Sequence, residues 1–251
     1  MIAHLYLDTL KKALIDLNRC DGYYHKPIFN LGNYQLSRIK KVDREKRING
    51  EDWPQDAESM IGLKRMDNIQ FLIDEIIRNH IPGDLLEAGV WRGGASIFMK
   101  ANLVVHGSDK CLFVCDSFAG LPVPTHEQDA GDIHHTHKQL AISLQEVKNN
   151  FHKYGLLYTT PRTYFIKGLF KDTMPTLKPN KFSLIRLDGD MYESTMDVLK
   201  NIYTSLSPGG YVIVDDWCLK PCRQAVMDFN SSIGNNPKYI PIDNTAVYFQ
   251  K

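Results

Sequence analysis

The amino-acid sequence predicts an α/β protein with a doubly wound, mostly parallel, seven-stranded sheet and an N-terminal helical extension. From residue 84 onward, short apolar runs alternate with longer stretches whose apolar residues recur at helical spacing, which is the pattern of repeated βαβ units. Residues 182–217 contain one complete unit, in which two apolar strands flank an amphipathic helix. The last two apolar runs meet at Asp243-Asn244, so we expect a closing hairpin and an antiparallel edge.

The predicted strands comprise residues 84–90, 111–118, 163–169, 182–187, 211–214, 238–242 and 246–250. The predicted helices comprise residues 3–18, 63–79, 93–106, 141–154, 192–206 and 221–232, with a long loop at 119–139 and a turn at 207–210. Because crossovers between parallel strands are right-handed, the carboxyl ends of the first five strands should lie along one edge of the sheet. Ligands of open α/β sheets bind at that edge.

Residues 1–58 are predicted to form an N-terminal extension, and residues 59–251 the main domain. An amphipathic helix in the extension precedes a polar segment, which is either a disordered linker or a lid over a substrate. The segment has more aromatic residues than a linker normally carries, which favours the lid: Tyr23, Tyr24, Phe29, Tyr34 and Trp53. Apolar residues exposed on the helix would suit a homo-oligomer.

The composition favours a small molecule as the partner. The 251 residues carry a formal charge of +1, and no basic stripe indicates nucleic acid. We expect no secretory signal and no membrane span, because no apolar run approaches about 18 residues. Cys111 and Cys115 lie in a predicted strand, where buried thiols are usual, and Cys218 and Cys222 lack the second pair of a zinc site. These features predict a reduced, cytoplasmic protein.

A glycine-rich turn follows the first strand of the main domain. It runs from Glu87 to Ser96 as EAGVWRGGAS, so its glycines are spaced differently from a dinucleotide fingerprint. Glycine allows close backbone approach to a ligand, and the following helix start offers free N–H groups. The acidic Glu87 would repel a pyrophosphate but suits a cofactor with a cationic amino group. S-adenosylmethionine is such a cofactor.

Two further strand ends fit a nucleoside. Asp116, at the end of the second strand, is placed to bind ribose hydroxyls, although a carboxylate there can equally cap a turn. Gly168, after the third strand, would allow close approach of an adenine, with Phe170 or Leu169 as its apolar wall. Ordinary core packing is the alternative for these two apolar side chains.

Four carboxylates follow the fourth and fifth strands: Asp188, Asp190, Asp215 and Asp216. They would repel one another unless a cation lies among them or some remain protonated. Oxygen ligands alone suit Mg²⁺, Mn²⁺ or Ca²⁺ rather than zinc, and Mg²⁺ suits a catalytic site best. A cation would lower the pKa of a bound hydroxyl. Asp190, if it is not a ligand, is placed to accept the proton. The alternative is that some of these acids cap the helices that follow.

The loop Asp129–His137 contains three histidines, which are not spaced like transition-metal ligands. The remaining interpretations are a solvated loop, a substrate contact or a proton relay. In the last case, His135 or His137 is a second candidate for the base.

With these residues in place, the chain resembles the macrocin O-methyltransferase family. The resemblance covers the chain from residue 60 and rests on these segments: MIGLKRMDNIQ (60–70), PGDLLEAGVWRGGASIFM (82–99), DSFAGLP (116–122), EVKNNFHKYGLL (146–157), IKGLFKDTMP (166–175), LIRLDGDMYESTMDVL (184–199) and LSPGGYVIVDDW (206–217). It implies the class I, Rossmann-like methyltransferase fold and methylation of a deoxysugar hydroxyl on a glycosylated natural product or polysaccharide. It also implies Mg²⁺ on Asp188, Asp215 and Asp216, and Asp190 as the base.

The resulting set of expected cofactor contacts is Met60, Ile61, Gly62, Glu87, Gly89, Gly94, Ser96, Asp116, Ser117, Gly168, Phe170 and Asp188. Three other functions remain open from the residues alone. One is a catechol-type O-methyltransferase acting on an aromatic diol. Another is a metal-dependent glycosyltransferase, because Asp188-Gly189-Asp190 is also a D-x-D triplet. The third is a non-catalytic S-adenosylmethionine-binding regulator, which would have no need of the acidic cluster.

Overall fold

A computed structural model describes residues 2–19, 23–25, 39–41 and 43–251. Its helices are α1 (Ile2–Leu14), α2 (Arg44–Asn49), α3 (Gly62–Arg78), α4 (Gly94–Val105), α5 (Leu144–Lys153), α6 (Phe170–Leu177), α7 (Tyr192–Ile202) and α8 (Lys220–Ser232). Its strands are β1 (Tyr23–His25), β2 (Ile39–Lys41), β3 (Asp84–Ala88), β4 (Leu112–Asp116), β5 (Thr163–Lys167), β6 (Phe182–Leu187), β7 (Leu206–Val214), β8 (Ile240–Pro241) and β9 (Val247–Gln250).

The main sheet has seven strands in the order β5-β4-β3-β6-β7-β9-β8. Strands β3 to β7 pair in parallel, whereas β9 pairs antiparallel with both β7 and β8. The predicted fold class, including the antiparallel edge, is therefore confirmed. The order reverses at β3, from which the chain first builds outward to β5 and then returns to β6. This reversal creates the crevice in which α/β proteins bind ligands.

Successive residues of the central strands face opposite sides of the sheet, as the pleat requires. Leu85 packs into a core with α1, α3, α4 and α5, and Leu86 into a second core with α6, α7 and α8. Helix α3 contributes Met66, Ile69 and Ile73 to the first core at helical spacing, and all three are buried. Burial on both faces explains why the parallel strands read as continuous apolar runs.

Several element boundaries differ from the prediction. Helix α6 was not predicted, because Pro175 lies within it and the segment is short. The expected turn at 207–210 lies inside β7, where the register against β6 shifts between Phe182 and Leu184. Strands β1 and β2 form a separate pair within the segment predicted to be a lid or linker. Phe29 and Tyr34 of that segment lie outside the described residues.

The carboxyl ends of β3 and β6 approach each other very closely. The Asp188 N–H donates to the Ala88 carbonyl at 2.9 Å, and the Asp215 N–H donates to the Leu187 carbonyl at 2.9 Å. Gly89 continues from β3 at φ +88°, and a Cβ at this position would collide with the Asp188 carbonyl oxygen. Glycine is required here for both reasons. The turn after β3 and the acids after β6 and β7 therefore meet at one edge.

Candidate active site

A cleft of about 420 Å³ opens at the carboxyl edge of the parallel strands. Its walls come from the turns after β3, β4, β5, β6 and β7, from the loop after β4, and from residues 50–61. Residues expected to contact a cofactor and found in this lining are Met60, Ile61, Glu87, Gly89, Asp116, Ser117, Gly168, Phe170 and Asp188. The proposed base Asp190 and the acids Asp215 and Asp216 line the same cleft.

Three expected cofactor contacts lie outside the cleft lining: Gly62, Gly94 and Ser96. Gly62 has φ +73° and packs against the backbone of Gly50, so a side chain there would collide. The Gly94 N–H donates to the Glu58 carbonyl at 2.9 Å, and a Cβ on Gly94 would strike the same backbone. These two glycines allow residues 50–59 to close against the helix starts of α3 and α4. Sequence spacing could not separate this packing role from ligand approach.

Asp116 both lines the cleft and stabilises the neighbouring turns. Its carboxylate accepts the Val90 N–H at 2.8 Å and the Phe118 N–H at 2.7 Å. Burial raises the pKa of Asp116, although these hydrogen bonds oppose the shift. The two alternatives for this residue, turn cap and cleft residue, are therefore compatible with each other.

Glu87 is buried in the cleft floor, with a side chain that is 1% exposed. Its carboxylate accepts hydrogen bonds from Ser96 Oγ and, at 2.5 Å, from Arg186 Nη1. Burial raises the pKa of Glu87 to about 7, and the nearby Arg186 limits the shift. Ser96, which stays a predicted cofactor contact, donates its hydroxyl to this buried carboxylate.

Asp188, Asp215 and Asp216 converge as expected. One carboxylate oxygen from each lies within 4.8 Å of the others, which is the spacing of ligands around a single cation. Asp188 is the most accessible of the ion-paired acids here, since its side chain is 28% exposed toward the cleft. Burial, followed by repulsion from Asp190 and Asp188, raises the pKa of Asp216 well above its usual range. An all-oxygen donor set of this kind fits Mg²⁺ or Mn²⁺.

Two buried arginines, which sequence reasoning missed, accompany these acids. Arg186 Nη1 donates to Asp188 Oδ2 at 2.7 Å, and Arg186 Nη2 lies 2.5 Å from Asp215 Oδ1 without the alignment of a hydrogen bond. Arg65 of α3 pairs with Asp215 and, at 2.9 Å, with Asp243. Burial would raise the pKa of Asp215, but Arg186 and Arg65 hold it below its usual value.

The expectation that only a cation or protonation could relieve the acidic cluster is thus incomplete. Arg186 stands in the buried strand FSLIRL, and a charged residue at such a position must meet an opposite charge. An arginine in an apolar strand was therefore a signal from which the sequence could have predicted a buried ion pair. The identity of its partners depends on which strands are neighbours.

Asp190 occupies an unusual backbone conformation, with φ +57°. Its N–H donates to Asp216 Oδ2 at 2.9 Å. Burial, followed by the charge of Asp188, raises the pKa of Asp190 to about 7. A carboxylate with such a pKa can accept a proton near neutral pH.

Comparison with known proteins identifies the chain. Residues 3–251 match the family model described as macrocin-O-methyltransferase (TylF). The chain belongs to the macrocin O-methyltransferase family. The resemblance noted from the sequence is therefore confirmed, and the protein is an O-methyltransferase of this family. The D-x-D triplet Asp188-Gly189-Asp190 is accordingly not the signature of a glycosyltransferase.

Several members of the family are similar over nearly their whole length. One is the 8-demethyl-8-(2,3-dimethoxy-α-L-rhamnosyl)-tetracenomycin-C 4′-O-methyltransferase of Streptomyces olivaceus, 41% identical, with 98% of this chain and 92% of the relative covered. Another is the mycinamicin III 3″-O-methyltransferase of Micromonospora griseorubida, 39% identical, with 98% and 96% covered. The solved O-methyltransferase NovP has a TM-score of 0.88, 39% identity and 99% coverage of each chain.

In this macrocin-type methyltransferase, His134 is the histidine of the 129–137 loop that lines the cleft. Its ring Nδ1 lies 2.9 Å from Asp132 Oδ2, and Asp132 and Asp190 raise its pKa although burial opposes the shift. His137 instead packs edge-on against Trp53 at 5.9 Å between ring centroids. The two histidines named as a second candidate base, His135 and His137, lie outside the cleft lining, and sequence reasoning missed His134.

Among the helices that the structure describes, none combines the length and hydrophobicity needed to cross a lipid bilayer.

Proposed function

We propose that the protein transfers the methyl group of S-adenosylmethionine to a sugar hydroxyl of a glycosylated small molecule, with the help of a divalent cation. The observation that carries the proposal is one continuous cleft that joins the glycine-lined turns after β3 and β5 to the carboxylates of Asp188, Asp215 and Asp216. The name of one relative supplies the substrate class, since it is a 4′-O-methyltransferase of a rhamnosyl-tetracenomycin. A second relative is named as a 3″-O-methyltransferase of mycinamicin III.

The donor would occupy the half of the cleft formed by Gly89, Asp116 and Gly168. Gly89 permits close approach to the backbone after β3, and Asp116 retains carboxylate lone pairs for ribose hydroxyls beyond its two backbone bonds. Phe170 provides an apolar wall beside Gly168. Bound there, the cofactor supplies an electrophilic methyl group.

The acceptor hydroxyl would lie beside the three carboxylates of Asp188, Asp215 and Asp216, which fit Mg²⁺ or Mn²⁺ by donor type and spacing. A cation bound there lowers the pKa of a hydroxyl that it contacts. Asp190, which lines the same cleft, would then accept the hydroxyl proton on its carboxylate. Holding donor and acceptor in one orientation provides much of the acceleration.

We also propose an acceptor-binding role for residues 1–58, a homo-oligomeric state and a cytoplasmic location. Residues 1–58 would complete the acceptor side, which Asp52 and Trp53 support by lining the cleft. A homo-oligomer is supported by Ile2, Leu5 and Tyr6, which are large apolar residues exposed on α1. A cytoplasmic location would give the protein access to S-adenosylmethionine. Light scattering of the purified protein tests the oligomer.

The decisive test combines calorimetry with a transfer assay. S-adenosylhomocysteine should bind the protein and UDP should not. With S-adenosylmethionine and Mg²⁺, a panel of O-demethylated rhamnosides and other deoxysugar glycosides should gain one methylene in mass, and EDTA should abolish the gain. Methylation of simple catechols in preference to glycosides would show that the substrates are aromatic diols and would contradict the proposed sugar acceptor. Full turnover in the presence of EDTA would contradict the proposed role of a divalent cation.

A further inference from the structure

Asp129 lies in the long loop between β4 and α5, yet it caps a helix more than sixty residues away. Its side chain is buried, at 1% exposure. Oδ1 accepts the Tyr192 N–H at 2.6 Å and Oδ2 accepts the Glu193 N–H at 3.0 Å. These are among the first N–H groups of α7, and Met191, at the position before the helix, offers no side-chain cap. Asp129 therefore satisfies donors that would otherwise lack partners.

The capped turn immediately follows Asp190. A non-glycine residue at φ +57° is held in a sparsely populated conformation, which persists only where the surroundings fix it. Asp216 fixes the N–H of Asp190 itself, at 2.9 Å. Asp129 fixes the next turn of backbone, two and three residues further on. Asp190 is thus held between a carboxylate of the cation cluster and a carboxylate of the loop.

The same loop also contributes a residue, His134, to the lining of the cleft that contains Asp190. The Asp132 N–H donates to the Asp129 carbonyl at 3.0 Å, and the Asp132 carboxylate accepts the His134 N–H at 2.7 Å. His134 then lines the cleft. A second hydrogen bond joins the loop to the first turn of α7, since Thr125 Oγ1 donates to the Glu193 carboxylate at 2.6 Å. Asp129 is the buried member of this contact between loop and helix.

We propose that Asp129 is a positioning residue for methyl transfer, which sets the Asp190 carboxylate against the acceptor by tying the loop at 126–137 to the first turn of α7. This role rests on the proposed function, in which Asp190 accepts the proton. Asp129 does not line the cleft, so it acts through Asp190 and not on the substrate. Small displacements of a reacting group can cost large factors in rate.

The first test compares Asp129→Ala and Asp129→Asn with Ser143→Ala. Ser143 caps α5 by accepting the Glu146 N–H at 3.1 Å, so its loss is a matched loss of a helix cap away from Asp190. We expect Asp129→Ala to lower kcat by about 10- to 100-fold. The affinity for S-adenosylhomocysteine should stay within about twofold, because the donor half of the cleft is unchanged. Asp129→Asn should recover part of kcat, since its amide oxygen still accepts one N–H. Ser143→Ala should lower thermal stability only.

The second test is a double-mutant cycle that combines Asp129→Asn with Asp190→Asn. If Asp129 had only a structural role, the effects of the two substitutions on kcat would be independent. If Asp129 acts through Asp190, Asp129→Asn should lower kcat much less in the Asp190→Asn background than in the wild type. Equal factors in the two backgrounds, or an unchanged kcat in a folded Asp129→Ala variant, would overturn the proposal. If Asp129→Ala does not fold, Asp129→Asn carries both tests. A wild-type protein that transfers no methyl group would contradict the proposed function instead.

Discussion

Arg186 and Glu87 are direct cross-strand neighbours on β6 and β3, and they form an ion pair of 2.5 Å in which both side chains are 1% exposed. The same guanidinium contacts Asp188 and Asp215. The Arg186 side chain therefore connects Glu87, beside the proposed donor site, to the acids of the proposed cation site. With Arg65, it offsets part of the negative charge that five central carboxylates bring together.

Replacing Arg186 should be far more destabilising than replacing an exposed arginine. In Arg186→Met, Glu87 would remain buried without its ion-pair partner, whereas Asp215 would keep only its pair with Arg65. Loss of one member of a buried pair costs about 3–5 kcal/mol. The measurement is urea unfolding at pH 7.5. The control is Arg78→Met, whose side chain is 68% exposed in its pair with Glu75, so the expected change is within about 1 kcal/mol. Comparable losses in both variants would contradict this account.

The pH dependence of stability should report Glu87. Its pKa is about 7 in the folded protein and 4.5 in its ordinary state, so the folded state binds more protons between these values. The contribution of Glu87 to the free energy of unfolding is complete below pH 4.5 and is lost as the pH rises through about 7. Its size is on the order of 3 kcal/mol.

Glu87→Gln should remove this dependence. The difference in unfolding free energy between wild type and variant, measured without cofactor or cation, should change between pH 4.5 and 7 and be flat above pH 8. A difference that does not vary with pH would show that Glu87 does not titrate in this range.

Cation binding should depend on Asp216. In Asp216→Asn the amide oxygen can still accept the Asp190 N–H, so the local backbone is preserved while a charged ligand is lost. Mn²⁺ affinity, followed by electron paramagnetic resonance, should fall by about 100-fold or more, beyond the range for outer-sphere partners. Affinity for S-adenosylhomocysteine should remain nearly intact. Asp172→Asn, in the exposed first turn of α6, is the matched control and should bind Mn²⁺ like the wild type.

Gly89→Ala should abolish donor binding through backbone geometry. A Cβ at Gly89 would meet the Asp188 carbonyl, so β3 and β6 must separate at the cleft. Gly107 offers a control that isolates the cost of conformation, because it has φ +60° and open space around its Cβ position. Gly107→Ala should cost about 1–2 kcal/mol of stability without affecting S-adenosylhomocysteine binding. Equal binding by both variants would show that the close approach at Gly89 is dispensable.

The sequence predicted the parallel sheet, its antiparallel edge and the meeting of Asp188, Asp215 and Asp216, because these follow from local periodicity and from the rule that parallel strands end at one edge. It did not predict α6, whose eight residues include Pro175. It also did not distinguish Gly94, which packs against Glu58, from Gly89, which lines the cleft. Gly89 follows β3 and Gly94 is the first residue of α4, so both belong to one glycine-rich segment, and the difference lies in what each one faces.

What the sequence determined by itself was the fold class, the family and the acids at the strand ends, since each is encoded in contiguous segments. Only the tertiary structure decided that Arg186 and Arg65 share those acids, that His134 lines the same cleft as Asp190, and that Asp129 caps α7. The physical reason is that a charge or a hydrogen-bond donor is satisfied by whichever group folding brings within about 3 Å. For these side chains that group is contributed by another strand, loop or helix.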